Sequence, residues 1–474
     1  MLWSTLLQST LSLAWVIGLS GLPTTSTPRD ALDATTQHLH ELLFLGITQK
    51  SAQLKAIPGI AHHWHSQSND TVWTFQLRTD LEDHAGQHIS PKDVQKCILS
   101  YFDPQNPAIV TASFPKLKSV SLQENTLTIQ LAHPDPHLDI NMSLIRFFRP
   151  SDAPNSPCKA SNAPLWTSGA FQPNTLPFLF KRGDKLKGTN LLNKTPLTFV
   201  FAQSNQTLLF RALRKELDIL FNTFTLSQSI WFAKHQRDYF RIKSTTSTVD
   251  YLAFNHASPI LKQKPFRKAI AFAIPRKSYV KFASDNLFQL ANSFLSPALS
   301  GYEAPEISFD LKKAQKILPE KTTLRYLTTS SSIGMERALF ISSSLKKIGI
   351  QLKIETVETG IFFSKIRSGD FDLFASRWIG VSDSEIYRLT VHSSGPRNRI
   401  NYKNPKMDKL IEKGELKKIE ALFSEELPYL PLWFWHNELW IRKKSGLTFS
   451  KNLSLSGSWY PLLSITPNSS EDKK

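Results

Sequence analysis

Three observations predict an α/β protein. From Val249 onward, short apolar runs alternate with segments whose apolar residues recur at helical spacing, the order of strand and helix found in layered α/β domains. The chain has 474 residues, enough for about three domains at roughly 150 residues each. Its apolar share of 41% supports large cores, and 28 Pro and 18 Gly are too scattered for a collagen-like or low-complexity chain. No internal repeat is visible, and the polar tail Pro467 to Lys474 is expected to fray.

Leu11 to Leu22 is an uncharged apolar run, shorter than the roughly 20 residues of a membrane helix. It reads either as the h-region of a secretory signal, although no Lys or Arg precedes it, or as a buried first strand from Leu13 to Leu19 that turns at Gly21 to Pro23. No cysteine lies near it, so a lipoprotein anchor is not expected. Val72 to Leu77 reads as a strand. Ser90 suits a helix N-cap, Pro91 the first helical position, and Asp93 the third, where a negative charge is favoured. Val94, Cys97, Ile98 and Tyr101 then share one face, which makes Cys97 a packed core thiol.

Pro104 to Pro177 reads as loop-rich sheet with a strand over Leu122 to Leu131. A strand at Leu197 to Phe201 and a helix over Leu208 to Leu220 follow. Tyr251 to Phe254 is a strand; Pro265 opens a helix with Phe266, Ala269, Ile270 and Ala273 on one face, limited by Pro275. Asp310 caps a helix carrying Leu311, Ala314, Ile317 and Leu318. Met335, Leu339, Ser342 and Leu345 line a helix that stops at Gly349, and a strand with Ile350, Leu352 and Ile354 on one side comes next. Leu416, Ile419, Phe423 and Leu427 give a last helical face before the aromatic run Leu430 to Trp440.

Net charge is +18, from 57 Lys plus Arg against 39 Asp plus Glu. Such a balance raises nucleic acid, anionic membrane and acidic ligands as partners, but the basic residues fall in short groups without an arm or tract and read as solvated faces. Two cysteines are too few for a disulfide framework or a four-cysteine zinc site. The Walker loop, GxGxxG, GxSxG and HExxH are all missing, which lowers the case for an enzyme. His62, His63 and His65, with His84, His88, Glu82 and Asp83, have the chemistry of a zinc or copper site, but an exposed edge and loop is the favoured reading. Trp433, Phe434 and Trp435, with Trp440, could stack a ligand; their alternation better fits a strand buried on both faces.

Several segments, taken in order, resemble one family. Pro58-Gly59-Ile60-Ala61-His62-His63-Trp64 is similar to "P-x-L-A-E-S-W", Trp73-Thr74-Phe75-Gln76-Leu77-Arg78 to "Y-T-F-x-L-R", and Ile89 to Val94 to "L-T-A-x-D-V". Tyr251-Leu252-Ala253-Phe254-Asn255 and Phe266 to Ile274 resemble "Y-L-x-F-N" and "V-R-x-A-I-x-x-A-I-D-R", with Pro275 in the place of the Asp. Ser296-Pro297, Gly301-Tyr302, Asp310 to Leu318, Leu345 to Ile350, Gly369 to Asp372, Asn401 to Pro405 with Asp408, and Pro428 to Leu432 continue the match. The family is the extracellular solute-binding proteins of the oligopeptide and dipeptide type, the receptors of peptide ABC importers. Val16 to Leu19, Pro23 to Asp33 and Glu41 to Gly46 resemble its first mature strand and "L-L-Y-E-G-L" block, which makes the apolar run part of the fold.

The resemblance implies a two-lobe periplasmic-binding-protein type II fold with an additional inserted domain and a hinge between lobes. Domain I would comprise 1–38, 165–246 and 447–474, domain II 39–164, and domain III 247–446. It further implies a non-enzymatic, monomeric receptor in the periplasm or cell envelope, peripheral to the membrane, that binds peptides without a cofactor, delivers them to an importer permease and has no nucleic-acid role. Alternatives within the fold are a haem, metal-chelate or glutathione receptor, or a degenerate paralogue acting as an envelope interaction protein. Ligand contacts are expected from Arg377, Trp378, Asp383, Glu385 and Tyr402. Relatives carry an Asp three residues after the tryptophan that pairs with the peptide amine; Val381 stands there here, and Asp383 or Glu385 are the candidate substitutes.

Overall fold

The computed structural model describes residues 14–31, 33–51, 55–181, 185–202, 204–221, 223–244, 248–283, 287–295, 303–317, 321–378, 385–445, 447–448, 458–464 and 466–467. The chain divides into two compact units: residues 1–224, 236–242 and 439–474 form unit 1, and 225–235 with 243–438 form unit 2.

Unit 1 is built on a seven-stranded mixed sheet in which Trp15–Ser20 is an inner strand. It runs parallel to both Thr195–Ala202 and Ile219–Phe221 and buries Trp15, Ile17 and Leu19. Buried on two hydrogen-bonded edges, such a strand reads as a near-continuous apolar run, which is why its sequence also resembled a leader. The strand alternative is therefore the one realised. The expected helix over Leu208 to Leu220 is shorter than its periodicity suggested. It spans Asn205–Leu213, Lys215 takes a left-handed turn at φ 60°, and Ile219–Phe221 joins the sheet.

A four-stranded antiparallel sheet in the same unit orders Ala61–Gln67, Val72–Leu77, Thr126–Leu131 and Leu117–Gln123. The single strand expected at Leu122 to Leu131 is thus a hairpin, reversed at Glu124 with φ 53°. Helix Pro91–Tyr101 packs its Val94, Cys97, Ile98 and Tyr101 face inward, and its start carries a complete capping box between Ser90 and Asp93. Cys97 corrects the thiol reading: it is disulfide-bonded to Cys158 across 61 residues of sequence. Helical periodicity reported its burial, but a partner so distant in sequence leaves no local signal.

Unit 2 centres on a six-stranded sheet ordered Phe288–Leu290, Tyr429–Trp435, Val249–Phe254, Leu373–Trp378, Thr322–Thr329, Ile350–Val357. The last three strands are mutually parallel, whereas Val249–Phe254 is antiparallel to both its neighbours. All six of its side chains are buried. Leu252 and Phe254 enter one core, with Ile270, Tyr326 and Ile341, while Val249, Tyr251 and Ala253 enter the other, with Phe294, Phe374, Tyr387 and Phe423. Helices therefore cover both faces, as a largely buried sheet requires.

Two features of this unit were only half visible in sequence. Helix Ser332–Lys346 turns Gly334, Ala338, Ile341 and Leu345 inward and leaves Leu339 57% exposed, so the expected Met335–Leu339–Ser342 face is rotated away. Small residues let the helix lie close to the sheet, and periodicity weighted by size pointed to the larger ones. Arg267, at 2% exposure, sits inside the apolar face of helix Lys264–Ala273. Its guanidinium donates to the carbonyls of Leu427, Leu261 and Lys262 at 2.8–3.0 Å, clasping the end of helix Leu416–Glu426.

Candidate functional site

The carboxyl ends of parallel strands are where open α/β sheets leave polar groups for a ligand. In unit 2 the ends of Thr322–Thr329, Ile350–Val357 and Leu373–Trp378 lie at the edge where Val249–Phe254 begins, because Val249 is registered with Trp378 and Asp250 with Arg377. Successive strand residues point to opposite faces. Arg377 and Trp378, adjacent in sequence, thus head two different clusters.

On the Arg377 face, the carboxylate of Asp250 is fully buried and accepts from Arg377 Nε at 2.8 Å, Arg337 Nη1 at 3.0 Å and Trp433 Nε1 at 3.2 Å. Burial alone would raise the pKa of Asp250, but the Arg377 and Arg337 charges outweigh it and hold the group below the usual carboxylate range. The Arg377 guanidinium also lies 4.3 Å over the Trp435 ring. Trp433 itself is core: it stacks 5.2 Å from Phe288 and 4.8 Å from Tyr279.

On the Trp378 face, the indole packs 5.2 Å from the ring of Tyr251 and is nearly buried. Arg399 Cζ sits 5.4 Å over Trp378 and 5.3 Å over Phe363. Arg397 is half-buried close by; burial and the like charge of Arg399 lower its pKa, opposed by Glu385 and Tyr251. Glu385 opens helix Glu385–Thr390 and accepts from Arg388 Nε at 2.8 Å.

Of the five expected contact residues, the structure thus brings Arg377, Trp378 and Glu385 to one end of the sheet, on its two faces. Asp383, and Val381 with it, lie outside the described residues. Tyr402 stands at the other end of the Val249–Phe254 strand, edge-on to His256 at 5.0 Å, with its hydroxyl receiving Asn404 Nδ2 at 2.9 Å. Sequence reasoning missed Asp250, Arg337, Arg397 and Arg399. A carboxylate inside an otherwise apolar strand was a usable signal for Asp250, since such a group is buried only when paired; the arginines carry none.

The histidines do not converge. His62, His63 and His65 are exposed on Ala61–Gln67, and His84 is engaged by Thr167 Oγ1 and, at 3.0 Å, by the Gly169 carbonyl. Asp83 is bound by Arg149, which also reaches Asp93 Oδ2 at 3.0 Å. Among the described residues no group of three or more His, Cys, Asp or Glu is placed to hold a metal ion.

The two strand-end clusters thus lie on opposite faces of one α/β sheet covered by helices. Residues 55–398 match the family model for bacterial extracellular solute-binding proteins, family 5, middle region, and the chain belongs to that family. It is 24% identical over 443 residues to di/tripeptide-binding protein 2 of Pseudomonas aeruginosa, covering 79% of this chain and 80% of that protein. It is 18% identical over 487 residues to the oligopeptide-binding protein OppA of Bacillus subtilis, covering 90% and 88%. Among solved structures, AppA of Bacillus subtilis in complex with a nonapeptide superposes with a TM-score of 0.80 at 18% identity, over 96% of this chain and 98% of that one. NikZ of Campylobacter jejuni in complex with Ni(L-His) gives 0.78 at 18% identity, over 96% and 99%. The fold is that of the periplasmic binding proteins, as the motif order implied.

Proposed function

We propose that this chain is a receptor that captures an oligopeptide or peptide-like solute in the cell envelope and hands it to an ABC importer. The observation that carries the reading is the family match over 55–398, a span that includes Asp250, Arg337, Arg377 and Trp378 at the strand ends. Relatives named for di/tripeptide, oligopeptide and dipeptide binding support the peptide class. The Cys97–Cys158 disulfide suits an oxidising compartment outside the cytoplasm. Among the described residues no helix is long and apolar enough to cross a membrane.

In this reading the chain binds without chemistry. Main-chain hydrogen bonds hold an extended ligand, and hinge closure of two lobes seals it. The domain bounds expected from the family, 247–446 for domain III against 1–246 with 447–474, differ from the compact units, which put 225–235 in unit 2 and 439–446 in unit 1. Trp378 supplies an apolar wall, Arg377 is a cation braced by Asp250, and Asp383 or Glu385 takes the peptide amine. Tyr402 supports the fold of the same lobe.

The test is native mass spectrometry of the full chain offered a pool of di- to nonapeptides. Retention of peptides with 1:1 stoichiometry is expected; a protein that retains none of the pool, or carries only a non-peptide solute, overturns the reading. If Asp383 is the amine anchor, Asp383→Asn weakens peptide binding by about 2 kcal/mol in calorimetry.

A further inference from the structure

Arg397 and Arg399 differ from the other buried or half-buried arginines of unit 2. Arg267 and Arg276 donate mainly to backbone carbonyls, and Arg337 and Arg377 pair with Asp250, although Arg276 Nε and Arg337 Nε are left without an acceptor. Arg388 is paired with Glu385. Arg397 and Arg399 are both half-buried; among the described residues neither guanidinium has a salt-bridge or hydrogen-bond partner, and Glu385 acts on Arg397 only through its charge. Trp378 Nε1 beside them is buried and likewise has no acceptor.

Arg399 and Trp378 are held in place without being used up, and the charge of Arg397 acts beside them. Arg399 lies between the Trp378 and Phe363 rings at 5.4 and 5.3 Å, and Trp378 is fixed by stacking on Tyr251. Ring faces position a guanidinium while leaving its N–H groups and charge uncommitted. Two like charges partly withdrawn from water and, among the described residues, without a salt-bridge partner are costly in the empty protein, as is an orphaned buried indole N–H. An arriving anionic group with several acceptor oxygens removes that cost, and a carboxylate matches a guanidinium in bidentate geometry. Glu385, whose charge acts on Arg397, is already engaged by Arg388 and so leaves the positive charge in surplus.

We propose that Arg397, Arg399 and Trp378 Nε1 form a receiving site for a carboxylate of the bound ligand, so that acidic peptides are the preferred class. This rests on the peptide-receptor reading above. The test is calorimetry on the full chain with the matched tripeptides Ala-Glu-Ala, Ala-Gln-Ala and Ala-Lys-Ala, repeated in Arg399→Gln, Arg397→Gln and Arg399→Lys, with thermal unfolding to confirm that each variant is folded. The acidic peptide is expected to bind at least about 10-fold more tightly than the amide, as one charge-assisted hydrogen bond allows. That ratio should fall toward one in either Gln variant and be partly kept in Arg399→Lys. Equal affinities for the three peptides, or a ratio unmoved in both Gln variants, overturns the acidic preference while the peptide receptor stands. Failure of every peptide to bind overturns the receptor reading and this inference with it.

Discussion

Arg377 and Arg399 lie at the same end of one sheet and are treated in opposite ways. Arg377 is spent on a buried carboxylate that also holds Arg337 and Trp433. Arg399 is braced by two aromatic rings and meets no counter-charge among the described residues. The difference separates polar groups that hold the protein together from polar groups kept ready for something else. A buried charge fully paired within the chain has no energy left to gain from a ligand, whereas an unpaired one pays its desolvation cost in advance and recovers it on binding.

The sharpest way to break the comparison is Asp250→Ala. It leaves two arginines and an indole N–H without their shared acceptor and should cost about 3–5 kcal/mol, read as a shift in the denaturant midpoint. A loss below about 1 kcal/mol would show that the Arg377 side of the edge is not a structural brace.

Unit 1 offers the next test, of what a buried titratable group costs. His40 is buried, and burial, reinforced by the Arg146 charge, pushes its pKa down to about 3. The folded protein therefore keeps this imidazole neutral, while the unfolded chain takes up a proton near pH 6.5. Stability should fall as pH drops below about 6.5, level off near 3, and lose about 2–3 kcal/mol between pH 7 and 4.5. His40→Gln should flatten that slope; an equally steep slope in the variant would place the acid sensitivity elsewhere.

Smaller again is the cap at Ser90, whose hydroxyl accepts from Asp93 N at 3.2 Å. Ser90→Ala should destabilise by about 1 kcal/mol in the same assay. At the bottom of the series stands Arg399→Gln. With no ion pair to break and the repulsion from Arg397 relieved, it should move stability by no more than about 0.5 kcal/mol. A loss comparable to Asp250→Ala would erase the distinction between the two arginines.

The local grammar of the chain was readable without coordinates. Ser90, Pro91 and Asp93 are a helix start because a hydroxyl, a ring-locked φ and a negative charge each satisfy a need of the first turn, and none depends on distant residues. The order of strand and helix in unit 2, and the motifs that align with the family, were visible for the same reason. What sequence misjudged were boundaries and partners: the hairpin at Glu124, the early end of helix Asn205–Leu213, and the rotated face of helix Ser332–Lys346. Each depends on which surface arrives to cover a segment.

The candidate site divides along the same line. That Arg377 and Trp378 neighbour each other was plain from the chain; that they end a strand was shown by the structure. That they face opposite ways into different clusters follows from the pleat. That Asp250 neutralises Arg377, while Arg397 and Arg399 have no salt-bridge partner among the described residues, was settled only by the folded structure, with strands more than a hundred residues apart in register. Composition and periodicity act through neighbours along the chain, so they specify elements and class. Coulombic pairing and burial act through space, so only the folded sheet decides which charges are consumed and which are left for a ligand.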